Sequence, residues 1–366
     1  MTTGLVVLAV LVAAAAAFAL LRPGSTAPIT DREGRPLPGS VAALAKVRLG
    51  GALQTVLLRG RSEKNPVLLF LHGGPGTSEL GLVRTYNCAA LEEHFTVAVW
   101  DQRGAGLSYA AIEPRSAMTV EQLVADCCEL VEWLCARFGQ EKVHVVGHSW
   151  GSLLGVLAVQ RRPERFHAYV GMGQVANVLE GERRSYAWTL AQAEAAGDAR
   201  ALAKLRRLGE PPYSGDLSAA IVAQRSVVAR YGGEVHGNPR GGMLLLLRAM
   251  LRSREYGWRD RVNVFRGAFA GMRLLWPQIL SIDLFAQAPE LKVPVYLLLG
   301  RHDQEAPSAV AERYLEALVA PRKTLVWFER SAHFPNVEEP EAFHRVLVER
   351  VLAETNTHCA ALDRSS

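Results

Sequence analysis

The apolar residues in the body of the chain fall into short, mainly hydrophobic runs separated by amphipathic stretches. Runs of this kind are typical of strands that are covered on both faces, as in a parallel sheet. Six of them occur, at residues 67–71, 95–100, 143–146, 167–170, 293–299 and 324–328. Residues 47–59 alternate around Gly50-Gly51, and this pattern predicts a β-hairpin ahead of the six strands.

Helix-like periodicity fills most of the intervals between these runs. Thr119, with Gln122 three residues later, forms a capping-box pattern that predicts a helix continuing to about Phe138. Further helices are predicted over residues 152–160, 308–318 and 341–352. Regular alternation of strands and helices predicts an α/β fold, in which right-handed crossovers build a mostly parallel sheet.

The alternation stops between Gln174 and Glu290, where helical periodicity persists with little strand signal. A helical insertion between late strands would lie above their carboxyl ends, where ligands bind in sheets of this type. We therefore predict a core over residues 41–173 and 291–356, a helical cap over 174–290, and a tail over 357–366.

The first 40 residues have a different character. Residues 4–21 contain no charge and no proline, and as a helix they would span roughly 27 Å, nearly the thickness of a bilayer core. An N-terminal membrane anchor over residues 1–21 is favoured over a cleaved signal segment, because no basic residue precedes the apolar run and Pro28 follows the candidate cleavage site. A buried soluble helix is the third alternative.

Residues 22–40 contain four prolines and three glycines, which predicts an extended linker that holds the body clear of the membrane. Arg22, Arg32 and Arg35 follow the apolar run, so the positive-inside rule favours a cytoplasmic body. A secreted or periplasmic location is the alternative.

Composition is that of a globular protein: 366 residues, 49% hydrophobic and 21% charged. The 41 basic and 36 acidic residues give a net charge of +5, and no run of like charges indicates a nucleic-acid partner. The cap holds 16 basic and 11 acidic residues, so all of the net charge lies there. This excess is either a solvated surface or a surface for an anionic ligand or membrane. The five cysteines show no metal-type pairing, and no cofactor or metal is implied.

One chemical motif stands out at the end of the third apolar run. Gly147-His148-Ser149-Trp150-Gly151 follows the run VHVV and precedes a predicted helix, which is the strand–turn–helix context of a G-x-S-x-G nucleophile. Small residues are needed on either side because the turn is sharp and packs against its neighbours. Ser149 is therefore the candidate nucleophile.

A serine hydroxyl needs a base, and the base needs a carboxylate to orient it. Of the ten histidines, His333 lies in a loop after the last strand run, where its ring can fold over the edge of the sheet. Asp303 follows the run VPVYLLLG at a strand end. The order Ser149, Asp303, His333 is the order that this kind of fold uses.

Two glycine-containing loops accompany the motif. His72-Gly73-Gly74-Pro75-Gly76 follows the run VLLFL, and we predict an oxyanion hole from the backbone N–H groups of Trp150 and Gly74. His72 is interpreted as structural. In the loop that begins Asp101-Gln102-Arg103, the aspartate and the arginine are interpreted as braces for the floor of the site rather than as ligands.

The three blocks HGGPG, DQRGAGLS and GHSWGS resemble the prolyl iminopeptidase branch of the α/β-hydrolase superfamily. The resemblance extends over residues 41–352 and implies an eight-stranded, mostly parallel sheet with helices on both faces and a helical cap. It also implies the same serine, aspartate and histidine roles, and release of an N-terminal residue, often proline, from peptides. Cap glutamates that bind the substrate's amine are implied as well, with candidates Glu180, Glu182, Glu234 and Glu255.

The chain departs from that branch at His148, where iminopeptidases typically have glycine, whereas G-H-S-x-G is frequent in esterases and lactonases. Two functions therefore stay open. One is a serine aminopeptidase acting on short peptides, and the other is a carboxylesterase or other acyl hydrolase for small hydrophobic substrates. The second alternative is consistent with an N-terminal anchor and with the apolar cap run at residues 243–247.

Overall fold

The computed structural model describes residues 22–238 and 241–355, and its centre is one eight-stranded sheet. Its strands are β1 (Val41–Leu49), β2 (Ala52–Gly60), β3 (Val67–Leu71), β4 (Thr96–Asp101), β5 (Val143–His148), β6 (Phe166–Met172), β7 (Val295–Gly300) and β8 (Lys323–Phe328). Their order is β1-β2-β4-β3-β5-β6-β7-β8. Strand β2 runs antiparallel to β1 and β4, and all other pairs are parallel. The predicted α/β-hydrolase fold is confirmed.

The helices divide into a core set and a cap set. Before β6 lie α1 (Leu80–Tyr86), α2 (Cys88–Leu91), α3 (Val120–Phe138) and α4 (Trp150–Arg161). Between β6 and β7 lie α5 (Val178–Ala195), α6 (Ala199–Leu208), α7 (Leu217–Arg230), α8 (Gly241–Arg252), α9 (Trp258–Ile279) and α10 (Leu284–Gln287). After β7 come α11 (Ser308–Ala317), α12 (Pro335–Glu338) and α13 (Pro340–Arg345), the last continuing as π-helical turns over Val346–Leu352.

Both faces of the sheet are covered, which is why its strands are apolar without alternation. Along β3, Val67, Leu69 and Leu71 contribute to one hydrophobic cluster, together with residues of α3, α4 and α11. Leu68 and Phe70 point the other way, into a cluster that includes residues of α1 and α13. A fully buried side chain of this size stabilises the fold by about 1.5–3 kcal/mol.

Helix α3 begins and ends where its sequence predicts. The Thr119 side chain accepts a hydrogen bond from the Gln122 N–H at 3.1 Å, and Gly139, with φ of +64°, ends the helix. Only half of the predicted capping box forms, because the Gln122 side chain donates to Asp126 Oδ1 at 2.7 Å instead of turning back to Thr119. The Gln122 side chain bonds to Asp126 because a buried carboxylate needs hydrogen-bond donors.

The cap is joined to the core at a narrow base. Asn177 and Asp283 form an isolated bridge, and the Val178 N–H donates to the Ile282 carbonyl at 3.1 Å. The two ends of the insertion are thereby held together just beyond β6. Because β6 and its neighbours are parallel, this base places the cap helices over the carboxyl edge of the sheet.

Residues 22–40 lie on the body, and an isolated bridge between Thr30 and Pro36 closes a turn within them. Ile29 is buried, the Ser25 N–H donates to the Arg254 carbonyl at 2.9 Å, and Arg59 donates to the carbonyl of Ala27 at 2.7 Å. The segment also bonds within itself, where the Leu37 N–H donates to the Ile29 carbonyl at 2.9 Å. The predicted anchor over residues 1–21 and the tail from residue 357 lie outside the described residues. Within residues 22–238 and 241–355, none of the helices combines the length and the apolar character needed to cross a bilayer.

Candidate active site

Ser149 occupies a strained turn between β5 and α4. Its φ of 52° and ψ of −120° lie in a region that costs a non-glycine residue about 1–3 kcal/mol. A Cβ on Gly147 would lie 2.3 Å from the Gly151 carbonyl oxygen, and a Cβ on Gly151 would lie 2.1 Å from that of Leu71. Both glycines of the motif are therefore required by close backbone contacts, as the sequence predicts.

The predicted acid and base come together at the ends of β7 and β8. His333 Nδ1 donates to Asp303 Oδ2 at 2.8 Å, and both side chains are buried. The other carboxylate oxygen of Asp303 accepts from the N–H groups of Glu305 and Ala306, each at 2.9 Å. These three hydrogen bonds fix the carboxylate, and the carboxylate fixes the tautomer and orientation of the ring.

The electrostatic surroundings of His333 favour its protonated form. Burial by itself would lower the pKa of the ring, but Asp303, Glu305 and Glu79 outweigh burial and raise the pKa to about 9. A base with a raised pKa is a stronger proton acceptor, but it is neutral and active only at higher pH.

Ser149 and His333 line the same cavity, of about 180 Å³, together with Gly74. Its wall also carries three glutamates, Glu79, Glu234 and Glu305, and we call it the acidic cavity. A second cavity, of about 80 Å³, shares Ser149, Gly74 and Glu305 with the first. We call it the apolar cavity because its walls are mostly hydrophobic, including Leu153, Val178, Ile221, Trp276, Ile279 and Val310.

The loop after β3 approaches the nucleophile closely. A Cβ on Gly73 would lie 3.1 Å from the Cβ of Ser149, and Gly74 has φ of +112°, which side-chain-bearing residues rarely adopt. Trp150 begins α4, whose first N–H groups have no partner within the helix. Trp150 and Gly74, the two predicted oxyanion donors, both line the apolar cavity with Ser149.

Gln102 ties the three motif blocks together. Its side chain accepts from Trp150 Nε1 at 2.9 Å and donates to the His72 carbonyl at 2.9 Å. Its backbone N–H donates to His72 Nε2 at 3.1 Å, so the His72 Nδ1 carries the proton that it donates to the Gly73 carbonyl. Burial lowers the pKa of His72. His72 is a structural residue of the loop, in agreement with its interpretation from the sequence.

Arg103 and Asp101 brace the loops below the site. Arg103 donates to both oxygens of Asp126, at 2.7 and 3.1 Å, and to the Gly50 carbonyl at 3.0 Å, with both charged side chains buried. Asp101 accepts from the Leu107 N–H at 2.7 Å, and burial raises its pKa to about 7. Neither side chain lines the acidic or the apolar cavity.

His148 links the nucleophile turn to the histidine loop. Its Nε2 donates to the carbonyl of His333 at 2.9 Å, and its Nδ1 lies 2.8 Å from Oε1 of the buried Glu79. Burial alone would raise the pKa of Glu79, but the nearby histidines, His148 above all, lower it. The histidine at this position therefore holds the loop that carries His333.

The four candidate glutamates of the cap lie in different places. Glu182 lines the apolar cavity and pairs with Arg225 through both carboxylate oxygens. Glu234 lines the acidic cavity, where burial and the neighbouring Glu305 raise its pKa to about 8.

The other two candidates lie away from both cavities. Glu180 pairs on the surface with Arg184 and Arg313, and Glu255 pairs with Arg84 next to the N-terminal segment. No group of three or more His, Cys, Asp or Glu side chains in the described chain is arranged to hold a metal ion.

Three residues that line the two cavities were not predicted from the sequence. Glu305 follows Asp303 by two positions in the loop after β7, so its place at the carboxyl edge of the sheet could have been predicted. Glu79 follows the glycine-rich loop and offered a weaker signal of the same kind. Arg225 could not have been found, because nothing in its local sequence indicates that it crosses the cap to Glu182.

Comparisons with known proteins identify the fold family and similar proteins. A family model described as alpha/beta hydrolase fold matches residues 66–340. The chain is 35% identical over 313 residues to the probable aminopeptidase YbaC of Bacillus subtilis (strain 168), covering 85% of this chain and 97% of that protein. It is 24% identical to the proline iminopeptidase of Heyndrickxia coagulans, covering 77% and 88%. The crystal structure of the Mycobacterium smegmatis proline iminopeptidase superposes with a TM-score of 0.59 at 19% identity, covering 86% and 100%.

Proposed function

Because the chain belongs to the α/β-hydrolase fold family, we propose that it is a serine aminopeptidase that releases the N-terminal residue of short peptides through an acyl-enzyme intermediate. The observation that carries the proposal is that Ser149 and His333, whose ring bonds to Asp303, line one cavity together with three glutamates. Such a cavity suits a substrate whose scissile bond lies one residue from a positively charged amine. The aminopeptidase relatives support the same assignment.

In the proposed mechanism, His333 removes the proton from the Ser149 hydroxyl as its oxygen attacks the carbonyl carbon. Asp303 stabilises the imidazolium that forms, and the N–H groups of Trp150 and Gly74 donate to the oxyanion. His333 then gives its proton to the leaving amine, and the shortened peptide departs. Water, activated by the same histidine, hydrolyses the ester on Ser149 and releases the free amino acid.

The proposed amine site lies between the two cavities, at Glu305. Glu305 lines both of them, and its carboxylate is 3.6 Å from Arg225, whose charge is already matched by Glu182. Burial, and then the neighbouring carboxylate of Glu305, raise the pKa of Glu234 in the acidic cavity. An ammonium group between the two carboxylates would relieve their repulsion and favour the ionised form of Glu234.

A matched pair of substrates tests this function. We expect aminoacyl-arylamides with a free amine to be hydrolysed at least about 10²-fold faster, in kcat/KM, than the same compounds acetylated on nitrogen, because the acetylated nitrogen carries no charge to pair with Glu305 and Glu234. A proline arylamide and a leucine arylamide should both be included. Equal turnover of free and acetylated forms would contradict the aminopeptidase assignment.

A carboxylesterase for hydrophobic acyl groups is the second candidate, and the apolar cavity favours it. Its wall of aliphatic side chains around Trp276 could hold an acyl chain without any charged partner. Activity confined to acyl-nitrophenyl esters, and unaffected by Glu305→Gln, would select this function over the first.

A further inference from the structure

The net positive charge of the protein is concentrated in one pair of cap helices. Residues 241–280, which contain α8 and α9, hold seven arginines and two carboxylates, a balance of +5. The rest of the chain is neutral, because the totals of 41 basic and 36 acidic residues leave 34 of each sign. The arginines are Arg248, Arg252, Arg254, Arg259, Arg261, Arg266 and Arg273.

The two carboxylates of this segment do not neutralise its surface. Glu255 is buried and pairs with Arg84 and with the hydroxyls of Thr26 and Ser253. Asp260 is half-buried and accepts the Gly257 N–H at 2.9 Å at the start of α9. The exposed arginines therefore project a positive field from the outer side of the cap.

Large apolar side chains are exposed on the same helix. Trp258, Val262 and Phe269 are 47%, 57% and 68% exposed, and their spacing of four and seven residues puts them on one side of α9. Arg266 and Arg273 are exposed at positions that continue this side. We call these five residues the α9 face.

The end of α8 extends the apolar part of this surface. Arg261 donates to the Leu251 carbonyl at 3.3 Å, and its guanidinium carbon lies 4.7 Å from the centre of the Trp258 ring. Leu251, which is 47% exposed, is therefore next to Trp258. A continuous apolar surface rimmed by arginines is unusual on a protein that meets only water.

The N-terminal apolar stretch joins the body at this same place. A Cβ on Gly257 would lie 2.6 Å from the Arg22 carbonyl oxygen, and Ser25 bonds to the backbone of Arg254. Arg22, which follows the uncharged residues 4–21 in the sequence, therefore lies beside the first residue of the α9 face.

We propose that the α9 face rests on an anionic lipid bilayer. Trp258 would lie at headgroup level, Val262 and Phe269 would enter the acyl boundary, and the flanking arginines would pair with lipid phosphates. Docking of the same face in two copies of the chain is disfavoured, because it would bring two strongly positive surfaces together. The proposal is independent of the reaction at Ser149.

The test measures lipid contact at two matched positions of the full chain. Val262→Cys on the α9 face and Val319→Cys on the core, which are 57% and 63% exposed, would each carry an environment-sensitive fluorophore, with Cys128 and Cys359 replaced by serine. The vesicles would contain nitroxide-labelled lipid in about 70% phosphatidylcholine and about 30% phosphatidylglycerol. We expect the label at position 262 to be quenched several-fold more than the label at position 319.

Two further measurements distinguish a lipid bilayer from other occupants of the α9 face. The double variant Arg259→Glu, Arg266→Glu should bind the vesicles about tenfold or more weakly, as reported by the label at position 262. Its hydrolysis of a small soluble substrate should be unchanged. High salt or uncharged vesicles should have the same effect. Equal quenching at the two positions would overturn the proposal. So would a label at position 262 that is shielded from water without vesicles, because residues 1–21 or a second copy would then cover the face.

Discussion

The carboxyl edge of the sheet and the cap hold their functional groups by different means. At the sheet edge the backbone does the positioning, through the strained turn at Ser149 and the hydrogen bonds that fix Asp303. In the cap, side-chain ion pairs between helices do it, as in Glu182 with Arg225. In the proposed mechanism the groups fixed by backbone act on any bound carbonyl, whereas the ion pair of the cap shapes the wall of the apolar cavity.

The largest effect should come from the nucleophile at the sheet edge. We expect Ser149→Ala to lower kcat by at least about 10³-fold for every substrate, since the attacking oxygen is lost. Ser281→Ala, at an exposed serine in the cap, is the control and should retain full activity. Steady-state kinetics and circular dichroism on both variants separate lost chemistry from lost folding. Activity retained by the Ser149→Ala variant would contradict the assignment of Ser149 as the nucleophile.

A change below the site should destabilise the core without altering substrate choice. Arg103→Met leaves Asp126 buried without its charged partner, which should cost about 3–5 kcal/mol in the free energy of unfolding. The matched control is Arg137→Met, whose partner Glu63 lies on the surface, and it should cost no more than about 1 kcal/mol. Urea unfolding measures both values. Similar values for the two variants would show that the buried pair is not a brace.

The proposed amine site at Glu305 should respond differently, through substrate choice. Compared on the pH plateau of each enzyme, Glu305→Gln should lower kcat/KM for free-amine substrates by about tenfold or more and leave neutral esters within about twofold, because only the amine loses its partner. Glu180→Gln, in a surface ion pair away from both cavities, is the control. Equal losses of kcat/KM on both substrate classes would show that Glu305 takes part in the reaction steps rather than in recognition of the amine.

The smallest expected effect is a displacement of the pH profile. His333 must be neutral to act as a base and its pKa is raised to about 9, so kcat/KM should fall as the pH falls through that value. Glu305 is one of the carboxylates that raise this pKa, so Glu305→Gln should move the acid limb to lower pH. Profiles measured with a neutral ester avoid titration of the substrate. An acid limb that the variant leaves in place would exclude this coupling.

Much of the core could be predicted from the sequence because its signals are local. Mainly apolar runs predicted the strands, and the glycines around Ser149 predicted the sharp turn. Chain order then led to Asp303 and His333, which the structure brings within 2.8 Å of each other. The fold itself follows from these same short segments.

The partners of buried charges could not be predicted in this way. Glu79 meets His148 across 69 residues, and Arg225 meets Glu182 across 43. Such pairs are settled by how whole helices pack, and no sequence spacing encodes them. For the same reason Glu180 and Glu182, two positions apart, were predicted together, although only Glu182 lines a cavity.

Covalent trapping tests the central claim most directly. The chain would be treated with a fluorophosphonate, digested, and mapped by mass spectrometry, alongside a His333→Ala variant. The account predicts a single adduct on Ser149 that forms in step with loss of turnover and is strongly reduced in the variant. An adduct on a different residue, or full turnover by protein that is completely labelled at Ser149, would contradict it.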